Sequence, residues 1–178
     1  LALDLISQAE HSSDTFCYLI TNSEKTAKLV NEIILKLLPT IQRSELVKSS
    51  LSKNGFIAVC RNSSDMVNLA NSLAPEHLQI MTKNPKSISS KITTAGLVLL
   101  GDYSPSSASD YILGSNHILP TNGFGKIRGS LSVMDFIKIN TEVTASKLSL
   151  SKISKHLDTL TTSEGLPNHY EAVRGRLQ

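Results

Sequence analysis

Apolar positions along the first hundred residues switch between two periods, and that switching predicts the order of elements. Residues 1–10 carry Leu1, Leu5 and Ala9 at helical spacing, whereas 15–21 is a short apolar run rich in aromatic and β-branched side chains that reads as a buried strand. Asn22 or Ser23 can cap the helix that follows, where Leu29, Val30, Ile33, Ile34, Leu37 and Leu38 recur until Pro39 breaks the pattern. Residues 44–53 predict a second short helix. After Asn54-Gly55 the pattern repeats, with a strand over 56–60, a helix capped by Ser63 or Ser64 and running to Ala74, and a strand-like run over 78–81. Asn84-Pro85 opens a helix to Ile92, and 95–101 is a further buried strand. Residues 131–143 predict a short helix followed by a strand. From Ser146 the residues Leu148, Leu150, Ile153, Leu157 and Leu160 mark a helix ending near Gly165, and Pro167 opens a last one through Leu177.

Strands that alternate with helices define an α/β class. The expected architecture is an incomplete Rossmann-like layer of mostly parallel strands over residues 1–145, followed over 146–178 by a helical C-terminal tail without a strand. Such a helix pair needs a surface to bury its apolar face against, and a partner subunit is one candidate.

Composition narrows the function classes. The 178 residues are 40% hydrophobic and 19% charged, enough for one globular domain or a domain with an appendage. Net charge is +3, but the 18 basic residues are scattered, so no nucleic-acid stripe is present. The absence of tryptophan also argues against a stacking platform for single strands. No apolar run is long enough to span a bilayer and no signal-peptide pattern opens the chain, so no membrane partner and a cytoplasmic location are expected. Cys17 and Cys60, each inside an apolar run, read as small buried hydrophobes in a reducing compartment. The chain enters helical pattern at Leu1 without an initiator methionine, so a preceding part of the protein is expected.

The polar residues that can do chemistry sit where elements end. Pro75 fixes its own φ and pushes Ala74 out of the helical region, so Glu76 and His77 fall at an element boundary rather than mid-helix. A carboxylate beside an imidazole is suited to proton transfer near neutral pH. Three other histidines also have polar company: Gln8 with His11, Asp110 before Asn116-His117, and Glu164 with His169. His156, between lysines, reads as a solvent-facing helix residue. From 101 to 125 the chain is dense in small, turn-forming residues, as in a loop folded tightly against a ligand or another backbone. It contains neither Gly-x-Gly-x-x-Gly nor Gly-Lys-Ser/Thr, which excludes a P-loop. Two site types remain open. A metal site would draw on His11, His169 and Asp110 with Gln8 as an oxygen donor, a set suited to Zn²⁺ or Mn²⁺ in an expanded shell. An acid/base site would use Glu76 and His77.

The blocks Gln8-Ala9-Glu10-His11, Ala74-Pro75-Glu76-His77-Leu78, Asp110-Tyr111 with Gly114-Ser115-Asn116-His117-Ile118-Leu119-Pro120-Thr121, and Glu164-Gly165-Leu166 followed by His169 resemble the signature blocks of the histidinol dehydrogenase family. Their order and spacing are similar, and the resemblance covers essentially the whole chain, which looks like the C-terminal part of a longer family member. It implies a zinc- and NAD-dependent enzyme that oxidises L-histidinol to L-histidine through an aldehyde, in the last steps of histidine biosynthesis. It implies that Gln8, His11, Asp110 and His169 hold the zinc, whose shell the substrate's imidazole and amino nitrogens complete. His77 would be the general base, Glu76 would activate water in the second oxidation, and His117 and Glu164 would contact substrate. It also implies a homodimer in which Glu164 and His169 of the tail serve the neighbouring site, with the NAD-binding region and a substrate-contacting serine upstream of Leu1. Two departures stand out: Ser109 occupies a position where the family usually has glycine, and residues 122–129 diverge from the usual loop. Competing classes are a non-catalytic, regulatory metal- or ligand-binding remnant and a generic α/β interaction domain.

Overall fold

The apolar stripe of the first helix is buried by the crossover that follows it. In the computed structural model, which describes residues 1–178, the chain divides into two units, Leu1–Asp135 and Phe136–Gln178. In the first unit, α1 (Ala2–Ala9) turns Ala2, Ile6 and Ala9 inward onto Cys17, Leu19, Val30, Ile34 and Val47. Val47 is fully buried, a contribution of about 1.5–3 kcal/mol for a side chain of this kind. Burial pushes the Cys17 thiol up to about 11, so it stays protonated and packs as a small hydrophobe.

Strand β1 (Tyr18–Thr21) pairs in parallel with β2 (Phe56–Val59), Tyr18 opposite Phe56, and those two rings stack with centroids 4.2 Å apart. Between them run α2 (Glu24–Leu37) and α3 (Ser44–Asn54), the crossover that a parallel pair requires. Ser23 caps α2 by accepting from the Thr26 N–H at 3.2 Å, and Asn62 caps α4 (Ser63–Leu73) by accepting from Asp65 N–H at 2.9 Å. A second parallel pair joins β3 (His77–Ile80) to β4 (Leu97–Leu100), His77 opposite Leu97.

The expected α/β class holds, with every strand pairing parallel, and the strands are hydrogen-bonded as two two-stranded ladders. Several elements are shorter than their sequence pattern, among them β4, which spans Leu97–Leu100 rather than 95–101, and two differ most at one end. The first strand starts at Tyr18 instead of residue 15, and α5 (Pro85–Ser89) stops before Ile92. The second has a clear cause: the Asn71 side chain on α4 donates to Lys91 O and accepts from Thr93 N–H, both at 2.9 Å, so this backbone is spoken for by a long-range clamp. The strand expected within 131–143 does not form. Val133–Phe136 is a single 3-10 turn, and the alternating Ile137, Ile139 and Val143 that follow are exposed and face no partner backbone.

The second unit is a helical hairpin of α7 (Lys147–Ser163), capped by Ser146, and α8 (Pro167–Leu177). Lys147 Nζ at the start of α7 donates to the Gln178 carbonyl after α8, 3.4 Å away, so the helices run antiparallel. Gly165 supplies the left-handed turn between them at φ 71°.

One close approach fixes the strand that carries the site. A Cβ on Gly96 would lie 2.8 Å from the Glu76 carbonyl oxygen and 2.9 Å from Pro120 Cδ. Gly96→Ala is therefore expected to destabilise by about 1–3 kcal/mol in urea unfolding. Gly175→Ala on α8, where nothing lies within 4 Å, should instead be neutral or stabilising by up to about 1 kcal/mol.

Candidate active site

The corner before β3 sets the geometry of the site. Ala74, after α4, is buried and held in the left-handed region at φ 46°, a conformation that costs a non-glycine residue about 1–2 kcal/mol. Pro75 forbids the helix to continue, and the chain leaves it abruptly. The Pro75 and Glu76 carbonyls then accept from the Gly96 and Leu97 N–H groups, each at 2.9 Å, so ladder bonding begins before β3 itself. His77 follows as the first residue of the strand, with both neighbouring peptides immobilised.

His77 meets a residue from the small-residue loop. Its Nε2 lies 3.0 Å from Asp110 Oδ1, with both side chains largely buried. Asp110 ends the one-turn helix α6 (Ser106–Ser109), its N–H donating to the Ser106 carbonyl at 3.1 Å. The turn is braced by Ser109, which is almost fully buried: its hydroxyl lies 2.7 Å from the Ser115 hydroxyl, and Ser115 Oγ also donates to the Ser109 carbonyl at 2.9 Å. The buried Ser109 hydroxyl is thus accommodated by a second serine. Asn116 pins the next stretch by donating to Leu131 O at 2.8 Å and accepting from Ile118 N–H at 2.7 Å. Beyond it, Gly125 is buried where a Cβ would collide with the Thr94 carbonyl, so the divergent 122–129 loop is pressed onto the backbone ahead of β4.

Glu76 is half-buried beside His77. Gln8 lies in α1 and His11 two residues beyond its end, the first half-buried and the second exposed. Helix α1 packs against α6, which brings the element bearing Gln8 against the element that ends at Asp110. His117 is exposed between Asn116 and Ile118. Glu164 and His169 belong to the second unit, where both are exposed. A groove of about 340 Å³ beside α1 is lined by Leu3, Ser7, Glu10, Ile41 and others, none of them among the expected site residues.

No three His, Cys, Asp or Glu side chains gather into a ready-made cage. The donors expected in the first unit are of another composition: an amide oxygen from Gln8, an imidazole nitrogen from His11 and a carboxylate oxygen from Asp110. Such a set fits a zinc or manganese ion that takes further ligands from elsewhere. Two residues outside the expected site set hold its members in place: Ser115 braces the turn that ends at Asp110, and Gly96 bonds the corner ahead of His77. The signal for Ser115 was the density of small residues in its loop, whereas Gly96 sits inside the apolar run 95–101 and gave none.

The family model for histidinol dehydrogenase matches residues 1–177. The histidinol dehydrogenase of Oceanobacillus iheyensis is 39% identical over 176 residues, and that of Methanococcus maripaludis 41% identical over 177; each match covers 99% of this chain and 41% of the relative. The crystal structure of histidinol dehydrogenase from Elizabethkingia anophelis superposes with a TM-score of 0.91 at 33% identity, over 99% of this chain and 40% of that one. Fold and relatives together define an α/β member of an oxidoreductase family. The chain belongs to the histidinol dehydrogenase family and spans about 41% of the length of the curated relatives it matches.

The bracing of α6 can be measured. Ser109→Ala removes one hydroxyl of the pair but leaves Ser115 its bond to the Ser109 carbonyl. A loss of about 0.5–1.5 kcal/mol is expected in urea unfolding, and Ser115→Ala should cost more because both bonds go.

Proposed function

We propose that this chain carries the acid/base and metal-binding groups of a histidinol dehydrogenase, and that the whole protein oxidises L-histidinol to L-histidine through the aldehyde in histidine biosynthesis. The observation that carries the reading is the 3.0 Å contact of His77 with Asp110, which joins an expected base to an expected metal donor 33 residues away.

Gln8, His11 and Asp110, with His169, would hold the metal. When bound, the metal supplies a fixed anchor for the substrate's imidazole and amino nitrogens, and NAD⁺ supplies the hydride acceptor. His77 takes the hydroxyl proton of the alcohol and, in the second oxidation, that of the hydrated aldehyde. Removing this proton raises electron density on the oxygen and eases departure of the hydride from carbon. Glu76, next to His77 in the chain, takes a proton from the water that adds to the aldehyde. His117 and Glu164 contact the substrate and help to orient it, which lowers the entropic part of the barrier.

The active protein is a cytoplasmic homodimer in which Glu164 and His169 serve the neighbouring subunit's site. The exposed Leu148, Ile153 and Leu160 on α7 support a partner surface there. The free cysteines agree with a reducing compartment.

In the whole protein, steady-state NAD⁺ reduction with L-histidinol should be lost on chelation and return with zinc. His77→Ala should lower kcat by about 10²–10⁴-fold with KM little changed. Undiminished turnover in that variant would remove His77 from the role of base. A wild-type protein that binds zinc but never turns over L-histidinol would instead be a non-catalytic remnant.

A further inference from the structure

We propose that Asp110 is the positioning residue of His77: it accepts the Nε2 proton, holds the ring in the Nε2–H form, and leaves Nδ1 as the nitrogen that receives the substrate's proton. The inference rests on the reading of His77 as the base. An ionised carboxylate has no proton to donate, so the hydrogen in the 3.0 Å Nε2 to Oδ1 contact belongs to the ring. It is the ring's one hydrogen bond, and Nδ1 has no protein partner. A neutral imidazole left to itself divides between two tautomers, and a single acceptor aimed at one nitrogen selects one of them.

The selection is firm because both partners are anchored. The side chains of His77 and Asp110 are 17% and 16% exposed, so water competes poorly for the bond. On one side, the bonds from Gly96 and Leu97 to Pro75 and Glu76 hold the start of β3. On the other, the Ser109 and Ser115 hydroxyls brace the turn that ends at Asp110. Only Oδ1 is engaged with the ring, so Oδ2 remains for the metal role expected of Asp110. One carboxylate can therefore orient the base and tie its position to the anchored substrate.

The ring nitrogens report this directly. Long-range proton–nitrogen correlation spectra of the whole protein with isotope-labelled histidine, recorded without metal, NAD⁺ or substrate at a pH where the rings are neutral, resolve the tautomers of its histidines. His77→Asn identifies the signals of His77 by their loss. The expected result is a bare Nδ1 and a protonated Nε2 in the wild-type protein, and loss or inversion of that preference in Asp110→Asn. An Nδ1–H ring or an even mixture in the wild-type protein overturns the proposal. So does an unchanged Nε2–H preference in folded Asp110→Asn. If that variant does not fold, the wild-type spectrum decides alone. No substrate or cofactor takes part, so a protein that never oxidises L-histidinol can still show the tautomer, and an active enzyme can still lack it.

Discussion

The site depends on a short extension of the β3–β4 ladder. The Pro75 and Glu76 carbonyls are already bonded to Gly96 and Leu97 when the chain reaches His77, so the histidine leaves a rigid backbone rather than a loop. That extension requires Gly96 to have no side chain, and it is reinforced by the later loop, where Gly125 presses on Thr94. The strained Ala74 makes the same point from the other side. A left-handed alanine persists only where its surroundings over-determine it, and here the helix end, the proline and the ladder all act on one corner.

A second constraint meets the first at Asp110. The one-turn helix α6 is too short to be stable alone, and its serines replace the missing length with hydroxyl bonds. Ser109, almost fully buried, takes its place in the turn by pairing its hydroxyl with that of Ser115. The outcome is a carboxylate delivered to the imidazole from a loop that regular secondary structure does little to hold.

Local pattern made much of this legible. The alternation of helical and strand-like periods predicted all four strands and every α-helix except the one-turn α6, which falls in the stretch that reads as a small-residue loop. Pro75 placed Glu76 and His77 at a boundary, and the structure puts them there. What period cannot convey is pairing. Ile137, Ile139 and Val143 alternate like a strand, yet a strand exists only when another backbone takes its hydrogen bonds, and none does. The stop of α5 was equally hidden, since Asn71 enforces it from another helix. At the site, Asp110 was visible as a candidate metal donor, but not as the partner of His77. A contact across 33 residues leaves no trace in spacing.

Whether the His77 and Asp110 pair addresses the alcohol of L-histidinol is decided by a crystal structure of the whole protein with zinc and L-histidinol. The substrate hydroxyl is expected at about 2.6–3.2 Å from a ring nitrogen of His77, with Gln8, His11, Asp110 and His169 around the metal. A substrate bound with its hydroxyl remote from His77, or a metal held by other residues, would contradict it.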